Sequence, residues 1–111
     1  MSTPPIDLVH LARQTAGDRT LERELLVLFS QQCVRQLRTI HAEADARARA
    51  DAAHTLRGAA SAVGAWQVAE AAGVVERLAA NGAAPGEAAM DALALAAAEA
   101  RAAIARFDAA A

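Results

Sequence analysis

The stretch from Asp45 to Gly64 reads DARARADAAHTLRGAASAVG. Alanine is the strongest helix former, and here it recurs among charges. Asp45 is a residue type that caps a helix start, and Gly64 one that ends a helix. The spacing therefore predicts a helix over about 46–63. Take His54 as zero on a wheel of about 100° per residue. Arg47, Asp51, Arg57, Gly58 and Ser61 then fall within about 60° of it. Ala52, Ala53, Leu56, Ala60 and Val63 fall on the far half. An apolar stripe must be buried against other helices, which turns His54 to solvent. Arg49 shares the far half with Leu56, and from the first turns its long side chain is expected to snorkel outward.

Working outward, the same reading repeats on both sides. Pro4-Pro5 can start a helix but not continue one, so a short helix is expected over about Ile6 to Gln14. Ala16-Gly17-Asp18 breaks it, and Asp18 caps a second helix from about Arg19 to His41. Leu21, Leu25, Leu28, Phe29, Leu37 and Ile40 are read as its buried stripe. After Gly64 a helix is expected from Trp66 to Ala80, with Val68, Ala71, Ala72, Val75 and Leu78 on one side. Asn81 to Gly86 is a loop by composition. A last helix is expected from Glu87 to about Phe107, with Met90, Leu93, Ala97, Ala100, Ile104 and Phe107 inward. Short connections between long helices make neighbours antiparallel. The fold class is all-α: an up-down-up-down four-helix bundle with a short additional N-terminal helix, in a single domain over 1–111.

Bulk composition agrees. The chain has 111 residues, too few for two domains. It is 55% hydrophobic but only 3% aromatic, so its core is built of small side chains suited to close helix packing. A net charge of −2 gives no basic footprint for nucleic acid. One cysteine, Cys33, allows no internal disulfide and fits a reducing compartment. No apolar run approaches the ~20 residues of a membrane span, and Met1 to Pro5 has no signal-peptide character. A cytoplasmic location is expected.

The chemistry sits at His54. Arg57 and Gly58, three and four residues on, are its neighbours on the helix face. A side chain at 58 would lean back over 54, and glycine has none. A mid-helix glycine costs roughly 1 kcal/mol against alanine, in a segment that otherwise uses alanine freely. Gly58 lies away from the packing stripe, so close approach of another molecule at His54 is the better reason for it. Neutral imidazole is nucleophilic near neutral pH and forms covalent intermediates. An open imidazole beside a fixed cation suits the carriage of an anion.

At these residues the sequence resembles the histidine-containing phosphotransfer (Hpt) family of two-component phosphorelays. The family pattern, His-x-Leu-Lys-Gly-small-small followed by Gly-Ala, stands here as His54-Thr55-Leu56-Arg57-Gly58-Ala59-Ala60 and Gly64-Ala65. Ile6-Asp7-Leu8, Gly17-Asp18 and Asp45 also fit, so the resemblance runs over roughly residues 6 to 107. It implies that His54 is the phosphoacceptor, exchanging phosphate with receiver-domain aspartates. Arg57 replaces the usual lysine and can hold two phosphate oxygens in a fork. Ser61 is a candidate hydrogen-bond donor. Many members place on the following helix a glutamine that orients the imidazole, and the matching residue here is Glu76. The resemblance implies response-regulator receiver domains as partners, with a hybrid histidine kinase as a further one. It also implies no cofactor in this chain, Mg²⁺ being brought by the receiver.

Three rivals stand beside this reading. One is the same bundle as an interaction module that binds a receiver or kinase without carrying phosphate. Another is a module phosphorylated directly by a histidine-kinase ATP domain acting in trans. An enzyme using His54 as a general acid–base is disfavoured, since the sequence places no second catalytic group. His10, His41 and Cys33 show no metal-ligand spacing. Cys33 and Trp66 read as packing residues, and Arg47 with Asp51 as a solvated charge pair. Val27 and Val34 are either a receiver-docking patch or scattered exposed valines.

Overall fold

The computed structural model describes residues 3–42 and 45–110, with no side chains described for 108–110. Met1 and Ser2 of the N-terminal stretch lie outside the described residues. Five helices follow in order: α1 (Leu8–Thr15), α2 (Arg19–Ala42), α3 (Ala46–Val63), α4 (Trp66–Ala80) and α5 (Glu87–Ala110). There is no strand among the described residues. Helices α2, α3, α4 and α5 form an antiparallel ring, α5 closing on α2, and α1 lies against α2 and α3. Among the described residues no helix is long and apolar enough to cross a membrane.

Caps set the boundaries. Asp45 Oδ1 accepts from the Arg47 amide (3.1 Å), and Gly64, at φ 76°, closes α3 in the left-handed conformation. Asp18 Oδ1 accepts from the Leu21 amide at the start of α2 (3.1 Å). The bounds of α3 and α4 are those read from the sequence, and α5 runs three residues past Phe107. Helix α1 starts two residues later than expected. Asp7 is its N-cap, accepting from the His10 amide (3.0 Å), and Ile6 is buried in the core rather than helical.

The stripe of α2 needs a correction. Leu26, Phe29, Cys33 and Ile40 are fully buried, Leu25 and Leu37 partly so, whereas Leu21 and Leu28 are exposed. Four leucines between 21 and 28 surround too much of the helix for all to face inward. The 3-4-7 spacing of Leu26, Phe29 and Cys33 wins, and Leu28 lies about 130° from its centre. Arg49 also differs from expectation. Its Nε donates to the Ile40 carbonyl (2.9 Å), one of the last carbonyls of α2 that has no helical partner. The side chain fastens the α2–α3 corner instead of running out to water.

Helix α1 is tied to the end of α3 through Gly64. The Asp7 amide donates to the Gly64 carbonyl (2.9 Å), and Trp66 Nε1 donates to Asp7 Oδ2 (3.0 Å). That indole N–H, and then the His10 amide, hold the Asp7 carboxyl below its usual range. A Cβ on Gly64 would sit 2.9 Å from Asp7 Cβ and 3.0 Å from its carbonyl oxygen, at a φ that L residues rarely adopt. Gly64→Ala is therefore expected to cost about 2–4 kcal/mol, from left-handed strain plus the clash. The check is a fall in urea midpoint with an unchanged slope.

Cys33 is fully buried, as a packing residue should be, and burial pushes its thiol up to about 11. The reactive thiolate is then scarce at neutral pH. Native protein at pH 8 should resist iodoacetamide and take up one equivalent on unfolding, read by intact mass.

Candidate functional site

The outer face of α3 carries the site because its inner face is fixed by packing. Ala53, Leu56 and Ala60 have no exposed surface, and Leu56 lies half a turn round from His54. The His54 side chain is 65% exposed. Packing of α3 on α4 brings Glu76 beneath it. His54 Nδ1 lies 2.9 Å from Glu76 Oε2, and Arg57 Nε lies 2.8 Å from Glu76 Oε1. One carboxylate thus spans both α3 side chains, an oxygen to each.

Arg57 Nη2 also lies 3.1 Å from His54 Nδ1. Nδ1 cannot donate to a carboxylate and accept from a guanidinium at once. A carboxylate only accepts, so the consistent arrangement has Nδ1–H donating to Glu76, with Arg57 beside the ring and bonded to the same carboxylate. Nε2 then carries the lone pair, and it has no hydrogen-bond partner among the described residues. A Cβ built on Gly58 meets nothing within 4 Å, so the space beside the ring is open.

Residues 23–110 match the family model described as Hpt domain. The chain belongs to the Hpt family. The match covers the four-helix ring from the first turns of α2 through α5 and leaves α1 outside. No curated protein and no solved structure matches the chain. Hpt domains carry phosphoryl groups in phosphorelays, in contact with receiver domains or kinases.

Within this Hpt domain the residues singled out in the sequence fall into two groups. His54, Arg57 and Glu76 form one bonded cluster beside Gly58. Ser61 lies two turns along: its hydroxyl donates to the Arg57 carbonyl (2.9 Å), and its own carbonyl meets His10 Nε2 at 3.0 Å. Its hydroxyl hydrogen is therefore engaged with the α3 backbone. Arg47 and Asp51 are exposed and form no ion pair with each other. His41 Nδ1 lies 2.9 Å from the Leu37 carbonyl, and His10 packs edge-on against Trp66 at 4.8 Å between ring centres. Trp66 is itself 38% exposed, with one edge on His10 and its indole N–H on Asp7. Val27 and Val34 are both exposed on α2.

Gly73 was not singled out. It is buried on α4, and a Cβ there would meet Arg57 Cδ at 3.4 Å. A Cβ at that distance is in ordinary contact, and the Arg57 stem lies against α4 beside Gly73 while its guanidinium pairs with Glu76. The signal was available: a lone glycine in an alanine-rich helix, three residues before Glu76 and so on the same face.

Proposed function

We propose that His54 is the phosphoacceptor of this Hpt domain, exchanging a phosphoryl group with the aspartates of receiver domains. The observation that carries the reading is the imidazole itself: exposed, bonded through Nδ1 to Glu76, with Nε2 open above Gly58. The Nε2 lone pair attacks the phosphorus of a receiver aspartyl phosphate. The P–N bond forms, the P–O bond breaks, and the aspartate leaves as a carboxylate. Nδ1 keeps its proton, so the phosphorylated ring is cationic, and that charge develops against Glu76 Oε2. The reverse steps pass the group to a second receiver.

Glu76 would by itself repel an incoming phosphate. Arg57 offsets this by pairing with Glu76 Oε1 while holding its guanidinium next to the ring, where its remaining N–H groups can take phosphoryl oxygens. Phosphoryl transfer is mostly positioning and charge stabilisation, and these side chains supply both. Among the described residues no group of three or more His, Cys, Asp or Glu side chains could hold a metal ion. By the family resemblance, the Mg²⁺ that assists transfer would be brought by the receiver.

The test is incubation with a panel of pre-phosphorylated receiver domains, read by intact mass and by stability of the adduct. An acid-labile, alkali-stable phosphate on the chain is expected. Binding without transfer across the panel would replace the carrier by an interaction module. Glu76→Ala removes the group that fixes the ring tautomer. Transfer should then slow by roughly ten- to hundredfold, the usual cost of losing such a partner, with receiver affinity little changed.

A further inference from the structure

We infer that this Hpt domain self-associates as an antiparallel dimer through its α2–α5 face, the wall of the bundle opposite the His54 site. Helices α2 and α5 are both 24 residues long and outrun α3 and α4, at 18 and 15. A furrow made of adjoining cavities runs between the N-terminal half of α2 and the C-terminal half of α5, with Pro4, Pro5, Ile6 and Leu8 walling one of them. Cavities of about 300 and 430 Å³ share Leu26, Ile104 and Phe107 as a common floor. A third, of about 420 Å³, continues past Arg23 and Val27 to Leu28. Val27 and Leu28 are 48% and 56% exposed.

The rim is basic. Arg19, Arg23, Arg101 and Arg106 line these cavities, against one acid, Glu24, among the described side chains. The whole chain, by contrast, has a net charge of −2. Arg101 Nε donates to Ser30 Oγ across the furrow (3.2 Å), and the Arg19 guanidinium lies 4.9 Å from the centre of the Phe107 ring.

The complement is on the same chain. Glu87, Asp91, Leu95 and Glu99 recur every four residues on α5, which places them along one outer strip from its start to just past its midpoint. Leu95 is 62% exposed in the middle of that strip. The outer face of α5 thus carries Glu87, Asp91 and Leu95 in its first half and Arg106 in its second, with Arg101 turned toward α2, where it bonds Ser30. A two-fold axis that pairs two α5 helices antiparallel lays each acidic half against the other copy's arginines, so that one contact generates its symmetric twin. Leu95 is the apolar knob for the furrow. A flat bilayer does not reach the floor, where Leu26 and Ile104 are buried. Both His54 sites face away from the contact, so the inference stands apart from the assignment of the phosphoacceptor.

The test is sedimentation velocity of the full chain from micromolar to millimolar concentration, at low and high salt. A dimer is expected, weakened at least about tenfold by high salt, since its contacts are charged and near the surface. Leu95→Asp, Asp91→Arg and Arg106→Glu, all at exposed positions, should each give folded monomers by circular dichroism. Mixing Asp91→Arg with Arg106→Glu should restore a heterodimer. A chain that is monomeric throughout the range overturns the inference. So does a dimer indifferent to Leu95→Asp, or a monomer whose furrow takes an acidic amphipathic peptide instead.

Discussion

Phosphate uptake from a phosphorylated receiver is expected to disappear entirely in His54→Gln, with the fold and receiver affinity intact. The His54 side chain is 65% exposed and contributes nothing to the core, so unfolding should be unaffected. Glutamine is the informative replacement because its amide N–H can donate to Glu76 as Nδ1–H does, preserving the link between α3 and α4. What it lacks is a basic nitrogen with a lone pair to form the P–N bond. The measurement is intact mass after exposure to phosphorylated receiver, alongside a titration of unphosphorylated receiver. Binding should be little changed, since glutamine keeps the bond to Glu76 and most of the contact surface. Persistent phosphate on the variant would remove His54 from its role and direct attention to His10 and His41.

Gly58→Leu should separate stability from function in opposite directions. Nothing lies within 4 Å of a Cβ at this position, and Gly58 has an ordinary helical backbone. Leucine is the better helix former, so stability should rise by roughly 0.5–1 kcal/mol. The same side chain leans back one turn toward His54, into the space a phosphoryl group and its donor must enter. Displacing reacting atoms by about an ångström can cost ~100-fold, and a loss of transfer of at least that order is expected. Gly58→Ala should share the stability gain and lose less activity. Urea unfolding and single-turnover transfer read the two effects independently. A stabilised Gly58→Leu with undiminished transfer would show that the glycine is not held open for the partner.

Much of the fold was legible because local rules and packing agreed. The α3 and α4 boundaries follow from Asp45, Gly64 and the alanine periodicity, and these helices end where those residues stand. Disagreement arose where several residues of one chemistry compete. In α2, the leucines at 21, 25, 26 and 28 offer two overlapping stripes, and only the neighbouring helices choose between them. Ile6 could have opened α1 by composition, but its burial and the Asp7 cap start the helix two residues later. Helical period alone makes Arg49 a snorkelling cation, because the Ile40 carbonyl it bonds belongs to another helix.

The candidate site divides in the same way. By itself the sequence determined an all-α chain and the outward direction of His54, since helical period ties the exposure of one residue to the burial of Leu56 on the same helix. It also placed Arg57 and Gly58 beside His54. The family resemblance pointed to Glu76, 22 residues further on, but only the tertiary structure decided that one carboxylate meets Nδ1 and pairs with Arg57 as well. It alone put Gly73 under the Arg57 stem, and engaged the Ser61 hydroxyl with its own helix. Periodicity fixes angles around one helix axis. Distances between helices depend on the side-chain volumes packed between them, so contacts across α3 and α4 appear only when the bundle is assembled.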